Sequence, residues 1–137
     1  MGATAQHETT IIGVDPHRRT FTATALSQGG CELGHGHFDN SAVGHAALLE
    51  WASSFAAISR AGIEGASGLS RPLAEFLVDR GIDVRDVPPH RTAQRGHGRH
   101  EGKSDRLDSA RIAAETQTNG RLAHAFKQSQ GTEPSRV

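Results

Sequence analysis

Ile11-Ile12-Gly13-Val14-Asp15 is the stretch whose reading decides the fold: an apolar, β-branched run that stops at a carboxylate. A run of this kind reads as a buried strand, and its last residue is delivered to the edge of whatever sheet it joins. Downstream, the Thr-Phe-Thr-Ala-Thr-Ala-Leu segment at 20–26 alternates in the strand period and places Phe21, Ala23 and Ala25 on one face. The Pro16–Arg19 link is short enough for a hairpin. Ser27-Gln28-Gly29-Gly30 marks a second turn, and Cys31 to Phe38 is expected to form a third strand. An antiparallel three-strand meander therefore opens the chain.

Helical and strand patterns alternate from there. Asn40 or Ser41 can cap a helix running to about Ser54, with Val43, Ala47, Leu48 and Trp51 as its expected buried stripe. Ala56 to Glu64 returns to strand character and, like the first strand, ends in a carboxylate. Ser70 is expected to cap a second helix carrying Pro72, Leu73, Phe76 and Leu77 and closed by Gly81. Ile82 to Val87 reads as a short strand stopped by Pro88-Pro89. In His90 to Gly102, glycines alternate with basic residues and helix is not expected. Asp105 to Thr118 regains a helical pattern, with Leu107, Ala110, Ile112, Ala113 and Ala114 available for packing. Strand-helix-strand units require crossovers, so the class is α/β with a partly parallel, mixed sheet and flanking helices.

The totals bound the rest. A chain of 137 residues fits one domain, expected over residues 10–120, with a disordered lead at 1–9 and a polar tail at 121–137. Fifteen Lys plus Arg balance fifteen Asp plus Glu, so global charge names no partner. The single cysteine, Cys31, cannot form an internal disulfide and is expected as a satisfied core thiol. No signal peptide or membrane-length run is present, which reads as cytoplasmic with no membrane partner.

Four carboxylates stand out. Asp15 and Glu64 close apolar strands, while Asp105 and Asp108 sit three apart at a helix start and so share a face. Like charges brought together raise each other's pKa, so a converging set implies a bound cation. Hard oxygen donors favour Mg²⁺ or Mn²⁺. Two such ions roughly 4 Å apart suit phosphodiester displacement. Each acid also has a plainer role open to it. Asp105 can be a helix N-cap, Asp108 a favourable first-turn charge, Glu64 a solvated strand end and Asp15 a turn residue before Pro16.

The segment leading into the acidic pair is basic. From His90 to Arg111 there are six Lys and Arg, among them Arg91, Arg95, Arg99, Lys103 and Arg106, and the interleaved glycines let backbone approach a phosphate. A soluble, mobile loop is the plainer alternative. Aromatic residues are missing, so base stacking is not indicated. His17 could touch a phosphate or a metal, although a solvated turn histidine is the commoner case. Gly65-Ala66-Ser67-Gly68 lacks the Gly-Lys-Ser/Thr ending of a phosphate loop.

Three stretches carry a resemblance. Ile12-Gly13-Val14-Asp15-Pro16-His17-Arg18, Gly62-Ile63-Glu64-Gly65-Ala66-Ser67-Gly68 and Gly102-Lys103-Ser104-Asp105-Arg106-Leu107-Asp108-Ser109-Ala110-Arg111 resemble the amino-terminal RuvC-like domain of DEDD-type transposases, the insertion-sequence recombinases guided by a bridging RNA. The resemblance covers about residues 10–118, and Lys103 to Ala110 is its most specific part. It implies a ribonuclease-H-like fold, a tetrad of Asp15, Glu64, Asp105 and Asp108 acting as catalytic residues and metal ligands, Mg²⁺ or Mn²⁺ as cofactor, and DNA as substrate. It leaves room for a guide RNA and for a homo-oligomer. Members of the family are longer, with a downstream serine-bearing domain, so the chain is expected to stop before that domain. A junction-resolving nuclease of the same fold and a non-catalytic nucleic-acid-binding remnant are the competing functions. A nucleotide-binding protein of the wider actin-like architecture fits less well, because Pro16-His17-Arg18-Arg19 is not a Gly/Thr-rich phosphate loop.

Overall fold

In the computed structural model, residues 8–89 and 101–125 are described, the first five of the second stretch by backbone alone. The strands are β1 (Thr10–Pro16), β2 (Thr20–Ser27), β3 (Glu32–Asp39), β4 (Ile58–Glu64), β5 (Asp83–Val87) and β6 (Ala123–His124). The helices are α1 (Ala42–Ser53), α2 (Arg71–Asp79) and α3 (Glu101–Thr118). One six-stranded sheet has the order β3-β2-β1-β4-β5-β6. β1, β2 and β3 form the expected antiparallel meander, β4 and β5 add on in parallel, and β6 returns antiparallel.

The two faces of the sheet are built differently. On one, Ile12, Val14, Phe21, Ala23, Ala61, Ile63 and Val84 are buried together with Leu48 and Ala52 of α1 and Leu73 and Leu77 of α2. This is the aliphatic core that the strand period anticipates. On the other face α3 lies so close that side chains are excluded beneath it. A Cβ at Gly13 would meet the backbone of Ala113 and Ser109, and one at Gly62 would meet the side chain of Thr116. Buried Ser109, Ile112, Ala113 and Thr116 recur at helical spacing and form the contacting stripe. Thr24 and Ser109 share a buried hydrogen bond of 2.7 Å between their hydroxyls.

Several expectations need correction. α3 begins at Glu101, so Asp105 lies inside the helix and is not its N-cap, and the two residues before Lys103 are helical. Leu107 (69% exposed) and Ala114 point to solvent, because the face that fits against glycine is the one made of small residues. Val43 is 78% exposed in the first turn of α1, whose buried side is Gly44, His45, Leu48 and Ala52. Leu122 and Ala125 are buried, so packing continues past residue 120, where a polar tail was expected to begin. Cys31 is exposed and precedes β3. The Ser41 cap stands, its hydroxyl accepting from Gly44 N at 3.3 Å, and Gly81 has the left-handed φ of 81° expected after a helix.

β3 forms despite its His-Gly-His centre. Gly34 and Gly36 leave space for the rings of Trp51, Phe55 and Phe38 on one face. On the other, His35 and His37 hydrogen-bond the Thr24 and Thr22 hydroxyls at 2.9 and 3.1 Å.

Candidate functional site

Because β1 and β4 run parallel with Val14 beside Ile63, Asp15 and Glu64 follow as neighbours at the same end of the sheet. The two-residue alternation puts them on the face of Gly13 and Gly62, which is the face that α3 covers. α3 brings Asp108 and Arg111, one turn apart, across these strand ends. Arg111 Nη2 donates to Glu64 Oε2 at 3.0 Å.

Asp15 is the most buried of these acids, its side chain only 8% exposed. Burial pushes its carboxyl above the ordinary carboxylate range; the neighbouring His17 opposes that, and the negative charges of Asp108 and Glu64 add to it. His17 Nε2 is 3.5 Å from Asp15 Oδ2, a contact at the limit of hydrogen bonding, and Oδ2 has no hydrogen-bond partner among the described residues. A solvent-shielded carboxylate oxygen in this state is costly unless something binds it.

The donor set fits a divalent cation in its chemistry. Its atoms are hard carboxylate oxygens on two strand ends and a helix, and one of them, Asp15 Oδ2, is desolvated with no hydrogen-bond partner among the described residues. As the side chains stand, no three His, Cys, Asp or Glu among the described residues are close enough to hold an ion. Glu64 is engaged with Arg111, and the side chain of Asp105 lies outside the described residues.

The five basic residues expected to meet nucleic acid are placed unevenly. Arg91, Arg95 and Arg99 lie outside the described residues, and of Lys103 only the backbone is described, in α3. Arg106 is exposed and, with Leu107 and Ala110 of α3 and Glu32 and His35 at the β3 edge, lines a cavity of about 380 Å³. Sequence reading counted Arg111 only as one more basic residue. The signal that could have singled it out is its three-residue spacing from Asp108, which fixes a shared helix face.

Residues 12–133 match the sequence profile of a DEDD transposase family, described as a transposase. The chain belongs to that family. A comparison with curated proteins found no match. Among solved structures, the transposase-family chain is similar to Thermus thermophilus RuvC, with 16% identity and a TM-score of 0.55, over 85% of this chain and 99% of that one. T. thermophilus RuvC in complex with a Holliday junction substrate is similar at 15% identity and a TM-score of 0.54, over the same shares. At these identities the likeness establishes the fold, which is ribonuclease-H-like, as the three quoted motifs implied. No described helix of the transposase-family chain is long and apolar enough to cross a membrane.

Proposed function

We propose that this chain is the catalytic domain of a DNA transposase, and that Asp15, Glu64, Asp105 and Asp108 hold the divalent ions its chemistry needs, Mg²⁺ or Mn²⁺. The observation that carries the proposal is Asp15: a buried carboxylate whose Oδ2 has no hydrogen-bond partner among the described residues and only the 3.5 Å contact with His17, and whose pKa burial and the charges of Glu64 and Asp108 raise. An acid so placed weakens the fold unless a ligand needs it there. Cations bound at such a tetrad activate an oxygen nucleophile and stabilise the leaving oxygen in phosphodiester cleavage and strand transfer.

The chain's own residues divide the remaining work. Asp15 and Glu64 are fixed by parallel strands, so their backbone positions are set before any ligand arrives. Asp105 and Asp108 come in on α3, whose depth is set by contact with Gly13 and Gly62. Arg91, Arg95, Arg99, Lys103 and Arg106 contact the DNA backbone as sequence-independent cations.

The test is Mn²⁺ binding by the purified chain, repeated on Asp15→Ala and Asp105→Ala, with cleavage measured on linear DNA, branched DNA and structured RNA. Binding in the wild type that is lost in both variants is expected; unchanged binding in both overturns the metal assignment. A second reading is a junction-resolving nuclease, favoured by the likeness to a RuvC whose structure holds a Holliday junction. Cleavage confined to four-way junctions would select it. Steeply salt-dependent DNA binding without Mg²⁺-dependent cutting would instead mark a binding module without turnover.

A further inference from the structure

Arg111 is the one strong cation that the described structure places within the acidic group. It lies on α3 one turn beyond Asp108, and its Nη2 donates to Glu64 Oε2 at 3.0 Å in a pair that is only part-exposed, 26% for Arg111 and 18% for Glu64. Its other terminal nitrogen, Nη1, is shielded from solvent and has no hydrogen-bond partner among the described residues. A guanidinium cannot lose its charge under any condition in which the protein folds. It is therefore a permanent positive charge on Glu64, at the end of the sheet where Asp15 also lies.

We infer that Arg111 is an internal counter-ion which occupies Glu64 until a divalent cation displaces it, so that ion binding at this site is an exchange and Arg111 sets its affinity. The inference rests on the metal reading of the acidic group given above. Three observations support it. First, while Arg111 holds Glu64 no three potential ligands among the described residues stand together, although Asp15 and Glu64 follow as neighbours on paired strands and the charges of Glu64 and Asp108 reach Asp15. Second, Asp15 Oδ2, with no hydrogen-bond partner among the described residues and only His17 at 3.5 Å, leaves one ligand ready while Glu64 is engaged by Arg111. Third, an arginine that served only to fasten α3 to β4 would have its second arm hydrogen-bonded or in solvent, whereas Nη1 is shielded from solvent and has no partner among the described residues. Release of Glu64 removes an attraction and adds a competing positive charge near the ion, and both weaken cation binding. Arg111 acts through Glu64 and is thus a positioning residue.

Calorimetric titration of the full chain with Mn²⁺ tests this in four proteins: wild type, Arg111→Gln, Arg111→Lys and Asp15→Asn. Losing one charged hydrogen bond and one competing charge should tighten binding in Arg111→Gln by about tenfold. Arg111→Lys, which keeps the charge, should stay within about threefold of wild type. Asp15→Asn should lose binding. If Arg111→Gln binds no tighter than wild type while Asp15→Asn still abolishes binding, the metal reading stands and the exchange falls. If neither wild type nor Arg111→Gln binds, the metal reading falls and takes the exchange with it. A readout that needs no Arg111 variant is the ¹⁵N signal of the Arg111 side chain during Mg²⁺ titration of the wild type. The signal should move in step with binding, and a signal that stays fixed while the ion binds overturns the inference.

Discussion

Replacing Gly13 by alanine adds one methyl group at the point where β1 and α3 come closest. That carbon would sit 2.7 Å from the carbonyl oxygen of Ser109 and closer still to the backbone nitrogen of Ala113. Every nearest atom is backbone, so no side chain can rotate away. α3 would have to lift by about 1 Å to restore ordinary contact, and overpacking of this kind costs about 1–3 kcal/mol. The same lift would move Asp108 and Arg111 away from the strand ends, so Glu64 should lose its 3.0 Å bond. The matched control is Gly120→Ala, where nothing lies within 4 Å of the added carbon. Urea denaturation of the three proteins decides the matter. Gly13→Ala should fall at least about 1 kcal/mol below wild type, and Gly120→Ala should stay within about 0.5 kcal/mol. A Gly13→Ala protein as stable as the control would refute the claim that α3 is seated on bare backbone.

Further outcomes follow from the buried polar groups. Asp15→Asn should raise thermal stability at pH 7 by about 1 kcal/mol, because it removes a buried, incompletely bonded charge. Asp15's raised pKa means that its penalty is full at neutral pH and fades as pH falls through the folded value, so the advantage of Asp15→Asn in melting temperature should shrink on acidification. Asp83 runs the other way. Burial alone would raise its pKa, but the Arg85 and Arg60 guanidiniums outweigh burial and hold it below its ordinary value. Its stabilisation is present above that value and lost as pH falls through the folded one, so Asp83→Asn should cost about 1 kcal/mol at pH 7 and little at pH 2, by urea denaturation. Thr24→Val should cost about 1 kcal/mol by breaking the buried 2.7 Å bond to Ser109, also read by denaturation.

Most of the sheet was legible because its two main signals are local. Alternation in residues 20–26 and the apolar run before Asp15 specify strands and their core-facing sides without knowledge of the partners. The layout of α3 was harder to read, because its buried stripe includes Ser109 and Thr116, which a hydrophobic count passes over in favour of Leu107. Only the glycines opposite, one 49 residues from the other in sequence, explain why small residues face inward there. β6 is two residues long and follows from pairing with β5, a contact no local pattern announces. For the candidate site, the strand-end position of Asp15 and Glu64 was readable. The engagement of Glu64 by Arg111 was not, since it depends on how deeply the helix sits.

The parallel register of β1 on β4 has one more consequence. In a strand, a slip of one residue carries every side chain to the opposite face. Were β1 to shift by one position against β4, Asp15 would turn from the α3 side into the aliphatic layer, and the acids would separate without any of them being mutated. Ile12, Val14, Ala61 and Ile63 resist that slip by being fully buried on the far side. Those four aliphatic residues therefore act as the site's alignment pins, and a chain evolving new DNA chemistry on this scaffold is free to change its surface but not its grip on that register.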